Sequence, residues 1–270
     1  MSRIETAFFE IGSLDTLAGG DTFVHRLDPR AKVVTTLIFI CCVVSFQKYQ
    51  LSALLPFFIF PAVLLTTAQL PVGFLLKKLL FVAPFAFFIG VFNPFFDQTI
   101  LFHVGPVGIS GGWVSFASIM LRFCLTISMA LILIATTSFN GVCMALEKIG
   151  APRVFTVQLL LLHRYLFVLV GEASRLVKAR ALRSFNGRGT GMTVFGHIVG
   201  QLLLRTLDRA QRIHLAMQCR GFTGEIHQMR LFRFGWHEFF FTLAWSAVFL
   251  ILRFYNLSQL LGGFLLEFAQ

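Results

Sequence analysis

Two long stretches in the middle of the chain decide its fold. Residues 152–184 read PRVFTVQLLLLHRYLFVLVGEASRLVKARALRS, and residues 193–222 read TVFGHIVGQLLLRTLDRAQRIHLAMQCRGF. Each stretch is helical in its pattern, with an arginine in its last turn and a helix-stopping glycine soon afterwards. The pattern predicts one helix from about Arg153 to Arg183 and a second from about Thr193 to Cys219.

The two predicted helices end in a similar way. Asn186-Gly187 follows Arg183 at a short distance, and Gly221 follows Arg220 directly. The helix dipole favours a cation at a C-terminus, which explains a single ending of this kind as a simple cap. Two such endings within one basic segment suggest a pair of contacts for an acidic partner.

The composition excludes an ordinary soluble globular protein. Of the 270 residues, 57% are hydrophobic, 13% are charged and 34 are phenylalanine, and the long apolar runs are typical of membrane proteins. Residues 138–237 contain 14 Lys and Arg against four Asp and Glu, so this block carries +10 of the net charge of +11. Between membrane spans, such a block indicates a cytoplasmic domain and not a nucleic-acid site.

Five apolar runs are candidate membrane spans, and proline interrupts the second and third. Lysine and arginine precede the first run, recur between the second and third, and fill the block between the fourth and fifth. This alternation places the N-terminus inside and the C-terminus outside. We expect Asp28-Pro29 to open the first spanning helix, since proline at a first helical position costs nothing. The runs are Val33–Phe46, Leu51–Ala68, Leu79–Phe96, Val114–Thr137 and Phe239–Leu252, with Asp97–Trp113 as a loop.

These features predict an all-α integral membrane protein. It has about five transmembrane helices and a cytoplasmic domain of long amphipathic helices inserted before the last span. Residues 1–137 form an N-terminal surface segment and the first four spans. Residues 138–237 form the cytoplasmic domain, and residues 238–270 form the last span and the C-terminus.

The two helices of the basic block differ in how clearly they can be interpreted. The first is apolar but is interrupted by His163, Arg164, Glu172 and further charges, so we expect no stable span. The second is amphipathic, with apolar residues at three- and four-residue steps. Such a helix either lies on the bilayer or packs on a partner helix. We favour two long helices that pack together beneath the membrane.

The sequence contains no clear motif for catalysis or for metal binding. The five cysteines lack CxxC spacing, and the seven histidines have no ligand at helical spacing, so we expect no metal site and no cofactor. A membrane transferase would need paired carboxylates for a diphosphate and its magnesium ion, and none stand at suitable spacing. The absence of a GxxxxGK[ST] loop indicates that the chain does not hydrolyse ATP. Arg122, inside the fourth run, either has a function or faces a partner or the interface.

Four segments, in order along the chain, carry a resemblance to a known family. They are Leu27–Lys32, Thr136–Pro152, His163–Ala173 and Ala216–Phe222. The chain resembles the transmembrane T component of energy-coupling factor (ECF) transporters, and most closely their cobalt-type branch. The last segment is similar to the second of two Ala-Arg-Gly signatures of that family, with Cys219 in place of alanine.

The first Ala-Arg-Gly signature departs from the family pattern. By alignment it falls on Ala181-Leu182-Arg183-Ser184, in which leucine and serine replace alanine and glycine. Arg180, one turn earlier, is the competing candidate for the first arginine. The resemblance implies that Arg183 and Arg220, with Ala181 and Gly221, contact the ATPases, and that Arg180 is the alternative to Arg183.

The resemblance also implies a function. A T component ties a small integral membrane protein that captures the substrate to ATP-binding subunits, expected as a dimer. We therefore expect a non-catalytic coupling subunit in the bacterial inner membrane, multi-pass, in contact with lipid and with its N-terminus in the cytoplasm. Cobalt is the expected substrate, and nickel or a vitamin is the alternative substrate. A weaker alternative for the function is the permease of a conventional ABC importer.

Overall fold

The computed structural model describes residues 17–96, 100–104, 107–183, 191–224 and 235–254. These residues separate into two compact units. The first, here called the apolar unit, comprises Leu17–Ser138 and the last described helix. The second, here called the basic unit, comprises the described parts of Phe139–Leu231.

The described chain is built almost entirely of helices, which confirms the predicted all-α class. A 3₁₀ helix, Ser52–Phe58, leads into α3, and α6 begins in the apolar unit and ends in the basic unit. The α-helices are α1 (Phe23–Arg26), α2 (Pro29–Val44), α3 (Ile59–Thr67), α4 (Val72–Val91), α5 (Asn93–Phe96), α6 (Gly111–Ile149), α7 (Arg153–Arg183), α8 (Met192–Cys219) and α9 (Trp236–Phe254).

The start of α2 follows from two residues. Asp28 is the N-cap, and its Oδ1 accepts a hydrogen bond of 2.9 Å from the backbone N–H of Arg30. Pro29 occupies the first helical position, where a missing N–H has no cost. The predicted opening of the first apolar helix at Asp28-Pro29 is therefore confirmed.

Two helix boundaries in the apolar unit differ from the sequence prediction. Pro56 lies in a 3₁₀ segment, so the second apolar run divides into that segment and α3 instead of forming one kinked helix. The third run begins at Val72, just after Pro71, and not at Leu79. Lys77 and Lys78 therefore belong to α4, where long lysine stems can lie along apolar surface while the ammonium group reaches water.

The predicted loop Asp97–Trp113 contains regular structure. Strands β1 (Ile100–Val104) and β2 (Val107–Ser110) pair antiparallel, with Val104 opposite Val107 and an irregular register between Ile100 and Phe102. This hairpin forms the only sheet within the described ranges, and α6 begins directly after it at Gly111. The sequence predicted only a loop here because the segment is rich in glycine and its two strands are too short to give a clear periodic signal.

An aromatic cluster forms the core of the apolar unit. Four phenylalanines are almost fully buried there: Phe39 of α2, Phe57 just before α3, Phe60 within α3 and Phe249 of α9. The ring centroids of Phe60 and Phe249 lie 4.9 Å apart, and those of Phe39 and Phe249 lie 5.3 Å apart. Part of the phenylalanine excess therefore serves helix packing. Another part is exposed on α4, where Phe81 is 87% accessible.

Two arginines of the apolar unit hold the chain after α2. Arg122 Nη2 donates to the carbonyl of Gln47 at 2.6 Å, and Arg253 Nη2 donates to the carbonyl of Ser45 at 2.9 Å. Ser45 is the C-cap of α2, whose last carbonyls lack helical partners. Both arginines thus stabilise the chain at the end of α2, which gives Arg122, within the fourth apolar run, a structural role.

Three described helices are long and apolar enough to cross a membrane. They are α6, α7 and α9, and the stretch Ser52–Thr67 is a shorter apolar helical segment. The inclusion of α7 runs against the expectation that His163, Arg164 and Glu172 make this helix too polar to span. Length and composition alone do not exclude a span there, so the position of α7 beneath the membrane stays a prediction.

Candidate functional site

The basic unit begins with a tight corner between α6 and α7. The N–H of Gly150 bonds to the carbonyl of Glu147, and the N–H of Ala151 bonds to that of Leu146 at 2.9 Å. This pair of bonds closes a helix C-terminus, with Gly150 at a φ of +129°. The next residue is Pro152, after which α7 starts at Arg153.

Aromatic stacking also connects the two helices that meet at this corner, α6 and α7. The rings of Phe139, in α6, and His163, in α7, are stacked with centroids 4.6 Å apart, and Phe167 meets the His163 ring edge-on. The sequence pattern did not reveal this role of His163, because the two residues are 24 positions apart in the chain. The part of the chain that the structure describes contains no group of three or more His, Cys, Asp or Glu suited to a metal ion.

The first set of predicted site residues lies at the end of α7. Arg180 and Arg183 are the basic residues of its last turn, and Arg183 is its final residue. Both are exposed, as are Ala181 and Leu182, the latter 85% accessible. Ser184 and the predicted stop at Asn186-Gly187 lie outside the described residues. The last turn of α7 therefore presents two cations at a protein surface.

The second set lies at the end of α8. Arg220 is the C-cap and is exposed. The N–H of Gly221 bonds to the carbonyl of Gln218, and that of Phe222 to Met217, each at 3.0 Å. This is a Schellman motif, and Gly221 takes the left-handed conformation it requires, with φ at +77°. The motif fixes the point at which Arg220 leaves the helix.

A charged contact joins the middle of α7 to the middle of α8. Arg205 Nη1 lies 2.8 Å from Glu172 Oε1, and Arg175 Nε lies 3.7 Å from the other oxygen of Glu172. A cleft of about 480 Å³ adjoins this contact, and Asp208, Arg209 and Arg212 of α8 are among its lining residues. The predicted packing of these two helices against each other is thus present in the structure.

Both helices also expose apolar side chains, and α8 contains no buried residue. Exposed apolar surface of this extent marks a contact with a partner or with lipid. On α7 and α8 the exposed apolar residues include Val154, Phe155, Leu162, Phe195, Leu203, Leu204, Leu207 and Leu215. The basic unit therefore combines exposed apolar faces with two helix ends that carry arginine.

The chain matches the family model described as CbiQ, cobalt transport protein, over residues 20–231. The energy-coupling factor transporter transmembrane protein EcfT of Bacillus subtilis (strain 168) is 26% identical over 221 residues. That alignment covers 76% of this chain and 82% of the relative. The protein of the same name from Streptococcus thermophilus is 27% identical over 237 residues, which covers 81% of this chain and 88% of the relative.

The family match, residues 20–231, covers the apolar unit from Gly20 to Ser138, the corner at Pro152 and both helix ends of the basic unit, and it stops before α9. The chain therefore belongs to the CbiQ family and is a non-catalytic transmembrane T component of the ECF-transporter type.

Proposed function

We propose that this chain couples ATP hydrolysis by cytosolic partner subunits to the movement of a small membrane protein that captures cobalt ions. The observation that carries the proposal is the matching pair of helix ends in the basic unit. Exposed arginines stand at the C-terminus of α7, at Arg183, and of α8, at Arg220. In this proposal, each arginine enters a groove on an ATP-binding subunit.

Arginine suits this task for a chemical reason. Its planar guanidinium group forms two parallel hydrogen bonds with a carboxylate, whereas lysine offers only a point charge. Small neighbouring residues let the partner surface approach, which is the role we assign to Ala181 and Gly221. Arg180 is the alternative first anchor, since it lies in the same exposed last turn as Arg183.

Two anchors fit a dimer of ATP-binding subunits, with one arginine for each half. Closure of the dimer would then move the ends of α7 and α8 relative to each other. The exposed apolar faces of these helices provide the surface on which the capture protein and membrane lipid pack. Force applied at the arginine ends thus reaches the capture protein through two helices that contact each other at Glu172 and Arg205.

Charge placement supports a topology with the N-terminus in the cytoplasm of a bacterial cell and several membrane crossings. The basic unit then faces the ATPases. Cysteine-specific labelling tests this topology: a cysteine at position 48 should react from outside the cell, and one at position 212 only after the membrane is opened. The reverse pattern would overturn the orientation.

Cobalt is proposed because the matched family is described as a cobalt transport protein. Nickel or a vitamin is the alternative substrate, since the coupling helices do not touch the substrate in this mechanism. Uptake of radioactive cobalt, with nickel as competitor, separates the two metals. Cells that lack this chain should lose the uptake of whichever substrate it serves.

The deciding experiment is purification of the tagged chain from its native membrane, followed by mass spectrometry of the bound subunits. The proposal expects two ATP-binding subunits or one in two copies, together with a separate small membrane protein. Arg220→Glu should lose the ATP-binding subunits, whereas Arg209→Glu, in the middle of α8, should retain them. ATP-binding subunits without a separate capture protein would instead identify a conventional permease.

A further inference from the structure

The backbone of α6 is interrupted at Ser138. Its φ of 62° and ψ of 158° lie outside the helical region, in a conformation that essentially only glycine adopts without strain. Ser138 is also the last residue of the apolar unit before the chain enters the basic unit. A strained residue persists only where surrounding contacts hold it in place.

Lys32 supplies such a contact. Its Nζ donates a hydrogen bond of 2.9 Å to the carbonyl of Thr136, two residues before the break. In an uninterrupted helix, this carbonyl would accept from the N–H of Asn140. At a break, the carbonyls of the preceding turn lose the backbone N–H groups that would bond to them in a continuous helix. A lysine side chain can donate to such carbonyls instead.

The surroundings of Lys32 make this contact difficult to replace. Only 6% of Lys32 is accessible, and lysine is rarely buried without a partner. The adjoining cavity has a volume of only about 10 Å³, the lower limit for holding one water molecule, and its lining includes Phe60, Leu64 and Ile132. The ammonium group therefore depends on protein acceptors such as the Thr136 carbonyl.

The start of α2 fixes the position of Lys32. Asp28 caps the helix and Pro29 sets its first turn, so Lys32 projects from that same turn. Asp28 is only 2% accessible, which holds the start of α2 inside the apolar unit. The segment from Asp28 to Lys32 thus acts together with the break in α6, although 104 residues separate Lys32 from Thr136.

We propose that Lys32 is a positioning residue that holds the break in α6 open at Ser138. By binding the Thr136 carbonyl, Lys32 prevents the helical hydrogen bond from the Asn140 amide to that carbonyl. It thereby maintains the interruption of α6 at Ser138, where the apolar unit ends, and this interruption is here called the joint. This inference goes beyond the proposed function. It rests on that function only for its transport measurement.

Pulsed electron paramagnetic resonance tests the joint directly. Spin labels at positions 113 and 148, attached through p-acetylphenylalanine, leave the five native cysteines in place. An uninterrupted helix would separate these two positions by about 52 Å, at 1.5 Å per residue. The wild-type protein should give a shorter distance, and Lys32→Met should shift the population towards the uninterrupted value. Lys32→Arg, which keeps a cationic donor, and the exposed control Lys48→Met should resemble the wild type.

A rescue experiment separates positioning from a general loss of packing. Glycine adopts the backbone of Ser138 without strain, so Ser138→Gly in the Lys32→Met protein should return the distance to the wild-type value. Packing defects would not respond to a change at position 138. Ser138→Val, which opposes the break while Lys32 remains intact, should reproduce the shift even if Lys32→Met does not fold. An unshifted distance in Ser138→Val or in folded Lys32→Met, or no rescue by glycine, overturns the proposal.

The transport measurement uses the complete transporter. Lys32→Met should keep its ATP-binding subunits and their hydrolysis but lose uptake several-fold, and Ser138→Gly should restore most of that loss. Uptake by Lys32→Met equal to that of the wild type would overturn the role of the joint in coupling. If the wild-type chain binds no ATP-binding subunits, the proposed function fails, while the distance measurement still decides the role of Lys32.

Discussion

Arg205 and Glu172 are separated by 33 residues in the chain and connect α8 to α7 through a contact of 2.8 Å. From this contact, α7 continues for about 17 Å to Arg183 and α8 for about 22 Å to Arg220, at 1.5 Å per residue. The two predicted anchors therefore extend from one shared crossing point. We expect movement of either helix end to act on the other helix through this ion pair.

Removal of this ion pair should affect transport more than stability. Glu172 and Arg205 are partly exposed, and surface pairs contribute about 0.2–1 kcal/mol to the free energy of unfolding. Glu172→Gln and Arg205→Gln should therefore fold and retain the ATP-binding subunits, but take up less substrate for each ATP hydrolysed. The exchange of Glu172→Arg with Arg205→Glu should recover part of this coupling ratio.

Arg175→Gln is the matched control, because Arg175 contacts Glu172 from within α7 itself. It should leave the coupling ratio near the wild-type value. A double-mutant cycle measured on uptake for each ATP hydrolysed supplies the test. Strictly additive effects of the two single changes would show that the pair does not transmit movement.

His25 should make the stability of the apolar unit depend on pH. Burial lowers the pKa of His25 below its usual value, and the nearby Lys32 ammonium lowers it further, while hydrogen bonds to the backbone and Asp21 act in the opposite direction. Its ring bonds to the Thr22 hydroxyl at 2.6 Å and to the Leu17 carbonyl at 3.1 Å, an arrangement that the neutral ring satisfies.

The sign of the effect follows from the lowered pKa. As the pH falls through about 6.5, the unfolded chain binds a proton at His25 before the folded protein does, so the folded state loses stability. Thermal melting in detergent between pH 7.5 and 5.5 should show the melting temperature falling. His25→Gln should reduce this slope, and the exposed control His197→Gln should keep it. An unchanged slope in His25→Gln would assign the pH dependence to another group.

The sequence predicted local features better than distant contacts. The apolar repeat and the arginine and glycine near each end predicted the two helices of the basic block, from Arg153 to Arg183 and from about Thr193 to Cys219, close to the bounds of α7 and α8. Asp28-Pro29 likewise predicted the start of α2. These features depend on neighbouring residues, which a single sequence displays directly.

Features that depend on partners far along the chain were missed. The fourth apolar run was predicted to end at Thr137, but no residue near Ser138 indicates a strained backbone there, because Lys32, which holds the adjoining carbonyl, is more than 100 residues away. The same holds for the stacking of Phe139 on His163 and for the hydrogen bonds of Arg122 and Arg253 around the end of α2. The early start of α4 was missed because Lys77 and Lys78 were interpreted as part of the segment between the second and third apolar runs.

Arg220 and its neighbour Gly221 should have separable roles. Gly221→Ala places a side chain at a φ of +77°, where no atom obstructs the new Cβ, so its cost is conformational and amounts to about 1 kcal/mol. Arg220→Lys keeps the charge at the helix end and should leave stability unchanged. It should nevertheless weaken transport, since lysine cannot make the paired hydrogen bonds of arginine.

Thermal melting and uptake, measured on both variants, distinguish an anchor from a cap. Gly221→Ala should melt at a lower temperature, whereas Arg220→Lys should melt normally and transport poorly. Normal transport by Arg220→Lys would mean that Arg220 only caps α8. Gly191→Ala, before the start of α8, is the control for a glycine with no positive φ and open space around it.

Arg183 and Arg220 should act as a pair and not as redundant contacts. If each arginine anchors a different half of an ATPase dimer, loss of one leaves the complex held by the other and by the surrounding apolar contacts. Arg183→Ala should therefore retain ATP-binding subunits in a pull-down and keep some ATP hydrolysis. It should lose uptake, because force on one helix end alone does not move α7 and α8 relative to each other.

The double change and a neighbouring control complete this test. Arg183→Ala with Arg220→Ala should release the ATP-binding subunits entirely, since each lost arginine leaves a buried carboxylate without its partner at a cost of about 3–5 kcal/mol. Arg180→Ala alters the same exposed last turn and should transport normally. If Arg180→Ala loses uptake while Arg183→Ala keeps it, the first anchor lies one turn earlier. If neither change affects uptake, force does not enter this protein through the end of α7.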